Sequence, residues 1–233
     1  MNKEHFSPSL ALVGVVHRDP KGFEKLLRLL EKEAPSLITI EISPYALEFR
    51  AKRAFHLRTI LRENLKVIHR EDGGSYREFV SHGAVQGIFL LLRVPFEWRA
   101  AEAYARRFTI KARPIDLSTY SEEKLAHVSE LLQPGNLRTL LRSDVLPVAD
   151  QVISQYKQAR ALWNHPPATW PRLLETEERE AHMAAEIRAL MSEGEKVLHV
   201  GGWEHLIDLP QGRSLFDKLR DLDPRRILLS ENS

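Results

Sequence analysis

Two stretches, Leu10-Ala-Leu-Val-Gly-Val-Val16 and Ser36-Leu-Ile-Thr-Ile-Glu41-Ile42, decide the fold of this chain. Each is short, rich in β-branched residues and apolar on both faces, which is how a strand buried between two layers reads. Between them Phe23, Leu26, Leu27 and Leu30 recur at helical spacing. Asp19 is placed to cap that helix with Pro20 at its first position, and Pro35 stops it. Strand, helix, strand in this order predicts a right-handed crossover and a parallel pair.

Working outward, a helix is expected to start at Pro44 and run to about residue 65, with Ala46, Leu47, Ala51, Ala54, Phe55, Leu61 and Leu65 inward. The Arg and Lys side chains of residues 50–62 form its solvated face. Residues 65–69 are expected to be a third strand. Residues 76–92 read as helical, and Pro95 opens a further helix through Glu97, Ala100, Ala101, Tyr104 and Phe108. Ala112-Arg-Pro-Ile-Asp116 is a short strand ending in an acid. Residues 121–165 are helical in pattern and form an insertion, followed by a rigid Pro-rich loop to Pro171 and a helix over 175–191. Lys196-Val-Leu-His-Val200 is the last core strand, and residues 226–230 add an edge strand. The fold class expected is α/β: a single domain with a mostly parallel sheet flanked by helices and a helical insertion at 121–165.

Composition narrows the chemistry. The chain has 233 residues, 43% hydrophobic and 28% charged, which is ordinary for a globular protein. Lys plus Arg number 34 against 32 for Asp plus Glu, so the balance of +2 offers no electrostatic argument for nucleic acid or an anionic membrane. With no cysteine, a thiolate metal site, an iron–sulfur cluster, a disulfide framework and a cysteine nucleophile are excluded together. No run approaches the ~20 apolar residues of a membrane span, and no signal segment is visible. The protein therefore reads as soluble and cytoplasmic, and a homodimer is compatible with it.

Strand ends are where such a sheet does chemistry, because their carboxyl ends face one crevice. His17 follows the first strand, Glu41 ends the second, Asp116 ends the strand near 115, and His205 follows the last core strand. Imidazoles with carboxylates suit Zn, Mn, Co or Fe, and such an ion generates a hydroxide nucleophile near neutral pH. Both histidines stand in the same pattern, Gly14-Val-Val-His17 and Gly202-Trp-Glu-His205. A glycine there lets the backbone bend or approach a ligand. Gly14, Gly202 and Asp116 are thus expected to border the bound group. Arg179 falls on the apolar stripe of Met183, Ile187, Leu190 and Met191, so it should point inward toward Asp116, Glu41 or an oxyanion. His69, His82, His165, His182 and His199 read as structural, and Trp163 and Trp170 as core.

These pieces occur in order with Pro95-Phe-Glu97-Trp-Arg-Ala-Ala, Pro114-Ile-Asp116, Glu178-Arg179 followed by Met183-Ala, and Val200-Gly-Gly-Trp-Glu-His205-Leu. The set resembles the TraB/PrgY/Tiki family, over roughly residues 10–210, and that family is similar to the erythromycin esterase and ChaN-like group. The resemblance implies an α/β core with a helical insertion. It also implies a metal-dependent peptidase whose functional residues fall on His17, Glu41 and His205, with Glu97 and Arg179 as further matches. In this chain Arg50 lies nine residues beyond Glu41, where the family places an Arg closer, and Leu117 follows Asp116 where an Arg is common.

The first functional reading is a metal-dependent hydrolase of a peptide or related amide. His17, Glu41 and His205 would hold Mn, Co or Zn, Glu97 would act as ligand or base, and Arg179 would stabilise an oxyanion. The second is a non-catalytic regulatory protein that sequesters a peptide, haem or small molecule in the same crevice. The first requires the two imidazoles to lie well inside ~12 Å of each other, since ligand bonds to one ion are ~2 Å long.

Overall fold

The two strands that decide the fold run parallel, as expected, but they do not pair with each other: the last core strand lies between them. A computed structural model describes residues 9–166, 174–209 and 214–230. The strands are β1 (Ser9–Val15), β2 (Leu37–Ile40), β3 (Lys111–Pro114), β4 (Lys196–Gly202) and β5 (Arg225–Leu228). All pairings are parallel and the order is β3-β2-β4-β1-β5. β4 slots between β1 and β2, with Gly14 opposite Gly201 and Ile40 opposite Val200.

Helices cover both faces, as a sheet apolar on both sides demands. On one face Val13, Val15, Ile38, Ile40, Leu198 and Val200 pack against α1 (Gly22–Glu33) and α5 (Phe96–Phe108). On the other, Leu10, Leu12, Leu37 and Val197 meet α10 (Leu174–Met191) and α11 (Leu215–Lys218). α1 and α5 lead the chain one way across the sheet, and α10 and α11 lead it back. One hand of crossover places the two directions on opposite faces. The connections leaving β2 and β4, which are neighbours, therefore diverge and open a crevice at their carboxyl ends.

A helical layer lies beside this core: α2 (Pro44–Asp72), α3 (Tyr76–Ser81), α4 (Gly83–Leu91), α6 (Ser118–Ala126), α7 (Val128–Leu131), α8 (Pro134–Leu141) and α9 (Val148–Asn164). The insertion expected at 121–165 is this layer's second half. Its first half is the chain after β2, because α6 and α8 pack on α2 and α9 packs on α4. Gly83 is where the halves meet closely: a Cβ there would stand 1.9 Å from the Leu146 carbonyl oxygen.

Several expectations are corrected. Residues 65–69 are not a strand but the end of α2, because Leu57, Leu61, Leu65 and Ile68 continue one buried helical stripe. Phe55 is 77% exposed and Ala51 also faces solvent, while Phe49 takes the inward place. Arg50 is not on the solvated face. Its guanidinium donates to the carbonyls of Ala46, Leu91 and Arg93 and ties α2 to the end of α4. α1 begins at Gly22 rather than at Pro20, since the Asp19 carboxylate accepts from Lys21 N–H and pairs with the buried Lys25 and with Tyr156 on α9. The loop expected up to Pro171, with Trp170, lies largely outside the described residues. No helix among those described is long and apolar enough to cross a membrane.

Candidate functional site

The crevice holds the residues that the strand ends pointed to. Glu41 directly follows β2, and its backbone N–H continues the ladder to Val200. Its carboxylate is buried and carries three donors: Arg179 at 2.8 Å and His205 Nε2 at 3.0 Å on Oε1, and Gly202 N–H at 2.6 Å on Oε2. Burial opposes the charge, but His205, Arg179 and His17 outweigh it and hold Glu41 well below the usual carboxylate range.

His205 comes from the 3-10 turn Trp203–Leu206 that follows β4. Its Nδ1 pairs with Glu180 of α10 at 2.7 Å and its Nε2 with Glu41, so both nitrogens donate to carboxylates. Burial alone would lower its pKa. The two carboxylates reverse that and push it up to about 10, making His205 an imidazolium.

His17 follows β1, and its Nδ1 pairs with Glu97 in the first turn of α5, also at 2.7 Å. Its side chain is 52% exposed while that of Glu97 is buried. Desolvation acts to lower the His17 pKa, yet Glu97 and then Glu41 raise it on balance. His17 Nε2 faces the end of β4: a Cβ on Gly202 would stand 2.9 Å from it and 3.5 Å from both Glu41 Oε2 and His205 Cδ2. The two imidazoles therefore border one point, far closer than the ~12 Å limit on a shared ion. Gly202 opens this space by having no side chain.

Arg179 does point inward. It grips Asp116 with Nε at 3.0 Å and a terminal nitrogen at 2.7 Å, reaches Glu41, and lies 4.3 Å from the ring centre of Tyr120. So fixed, it orients Glu41 rather than standing ready for an oxyanion, and its own pKa is raised because Asp116 and Glu41 overcome burial. Asp116 is spent on this clamp and on Leu117 N–H at 2.8 Å. Glu97 meets His17 Nδ1, the place of a positioning carboxylate. Gly14 serves packing, since a Cβ there would stand 3.0–3.1 Å from the Trp163 ring and the Trp203 backbone.

Two residues escaped the sequence reading. Glu180 lies on the buried stripe with Met183, Ala184 and Ile187, so its inward position was available from spacing, whereas Glu178 is exposed. His199, taken as structural, is fully buried beside the site with Nδ1 3.0 Å from Thr39 Oγ1, and burial pushes it down to about 4, so its ring is neutral. Its pattern is that of an ordinary strand residue, and only the register that sets it opposite Thr39 shows its place.

Chemically, the arrangement is two imidazoles, each with Nδ1 on a buried carboxylate, the Nε2 of His205 on Glu41 and that of His17 at the space beside Gly202. Among the described residues, no group of three or more His, Asp or Glu stands ready-made at metal-binding spacing. A separate recess of about 280 Å³, lined by Ser9, Glu33, Lys196 and Arg225, opens at the opposite, amino-terminal end of the strands. No family model matches the chain, and neither a curated protein nor a solved structure matches it significantly.

Proposed function

We propose that the protein is a metal-dependent hydrolase acting on a peptide or related amide, its centre formed by His17, Glu41 and His205. The observation that carries this reading is the shared layout of the two histidines, because a carboxylate behind Nδ1 is how metal-ligating imidazoles are oriented and made more basic. His17 Nε2 and a Glu41 oxygen are donors of the type a divalent cation takes, and His205 Nε2 would join them once the cation displaced the proton it now shares with Glu41. A bound cation would supply Lewis acidity toward the scissile carbonyl and the attacking water.

The chain's own groups do the rest. Arg179 and Gly202 N–H keep Glu41 ionised and fixed. Glu97 and Glu180 fix the two rings, and half-exposed His17 is the first group that an entering substrate meets. The closed His205–Glu41 pair also suits a second reading, a site that receives a peptide or small molecule and does not turn it over.

The test is hydrolysis of a mixed peptide library by purified protein, with and without added Mn, Co or Zn, monitored by mass spectrometry. The proposal expects metal-dependent cleavage that His17→Ala and His205→Ala each abolish. Cleavage indifferent to metal and chelator would contradict it. Ligand capture without cleavage would favour the second reading.

A further inference from the structure

Glu41 has room for one more donor than it holds. A carboxylate offers about four lone-pair sites. Arg179 and His205 occupy Oε1, and Gly202 N–H takes one position on Oε2. Beneath it lies His199, whose side chain is completely buried and whose Nε2 has no hydrogen-bond partner among the described residues. A Cβ on Gly201 would stand 2.9 Å from His199 Nε2 and 2.9 Å from Glu41 Oε2. The two atoms thus converge on a point that the missing side chain keeps open.

The contact of His199 Nδ1 with Thr39 is compatible with a proton on the other nitrogen. The Thr39 hydroxyl is fully buried, and His199 Nδ1 is its hydrogen-bond partner at 3.0 Å. With the hydroxyl donating to Nδ1, a neutral ring carries its proton on Nε2, the tautomer that gives the otherwise unpartnered Nε2 a hydrogen to offer Glu41.

We propose that His199 is a positioning residue for Glu41, its Nε2–H a reserve donor that engages Oε2 when His205 Nε2 turns from Glu41 to a ligand. This rests on the reading that the His205–Glu41 pair opens in function. Losing a donor would leave a buried carboxylate under-satisfied. An incoming N–H from His199 keeps the donor number constant. The short move goes through the space at Gly201.

The experiment has two arms. In the first, long-range ¹H–¹⁵N imidazole spectra are recorded on histidine-labelled protein, with the His199 signals identified by their loss in His199→Gln. A neutral ring protonated at Nε2 is expected. A proton on Nδ1 would overturn the proposal, and this arm needs no activity, so it stands if hydrolysis is never found. In the second arm, peptide hydrolysis is compared for His199→Asn, which keeps an acceptor for Thr39 but has no group at the Nε2 position, and His199→Gln, which can place an N–H there. The Asn variant should lose about tenfold to a hundredfold in kcat at unchanged KM, and the Gln variant should recover most of it. Equal losses in both variants, or none in Asn, would overturn the proposal even with both proteins folded.

Discussion

The two Gly-x-x-His segments are the same four-residue pattern put to different use. In both, Nδ1 rests on a buried glutamate at 2.7 Å, Glu97 from one helical layer and Glu180 from the other. His205 is 12% exposed and its Nε2 is already committed to Glu41, whereas His17 is 52% exposed and its Nε2 faces the open space at Gly202. The glycines differ too: Gly14 makes room for Trp163, and Gly202 makes room for His17. The first copy therefore stands at the open side of the crevice and the second is buried within it. A repeated motif locates a pair of residues, but burial decides what each one does.

The sharpest way to break this contrast is to remove Arg179, which serves only the buried half. Arg179→Met leaves buried Asp116 without its cation and Glu41 with His205 alone, and should cost about 3–5 kcal/mol in denaturant unfolding. A cost near that of a surface substitution would erase the distinction.

The next effect follows from protonation. His205 holds its proton in the folded state up to about pH 10, while in the unfolded chain it does so only to about 6.5. Its stabilisation is therefore whole below about pH 6.5 and is lost as pH rises through 10. Glu41 acts at the other end. Its folded pKa lies below 4.5, so its contribution holds above about that pH and is lost as pH falls through the folded value. Thermal melts should show Tm falling between pH 6.5 and 10 in the wild type and a flatter profile in His205→Asn. Parallel profiles would contradict the buried imidazolium.

The neighbouring glycines sharpen the same comparison. Gly201→Ala pushes a methyl against buried Glu41 and His199 and should cost about 1–3 kcal/mol. Gly202→Ala meets mainly the half-exposed His17 ring, which can move aside, so stability should drop by less while the site is blocked. His17→Ala takes the imidazole partner from buried Glu97 and should cost about 1–3 kcal/mol in unfolding, less than the loss of Arg179 because Glu97 can take up a proton.

Much of the frame was legible in the chain. The strand runs, Glu41 at a strand end and Arg179 on an apolar stripe each followed from spacing, because a buried charge stands out against a regular period. What stayed hidden depends on register and long-range packing. Residues 65–69 have strand-like composition, and only the stripe reaching back to Leu57 makes them helix. Asp19 looked like a cap because one of its partners, Tyr156, lies on α9 at the far end of the inserted helical layer. His199 matters because β4 lies between strands that precede it in the chain, an order that local pattern does not encode.

The account turns on both imidazoles serving one centre, and metal stoichiometry tests that most directly. Zn, Mn and Co are titrated by calorimetry into the wild-type chain and into folded His17→Ala and His205→Ala. Bound metal is then counted by mass spectrometry. The account predicts one ion per chain, lost in either variant. No bound ion in the wild type, or binding that survives both substitutions, would contradict it.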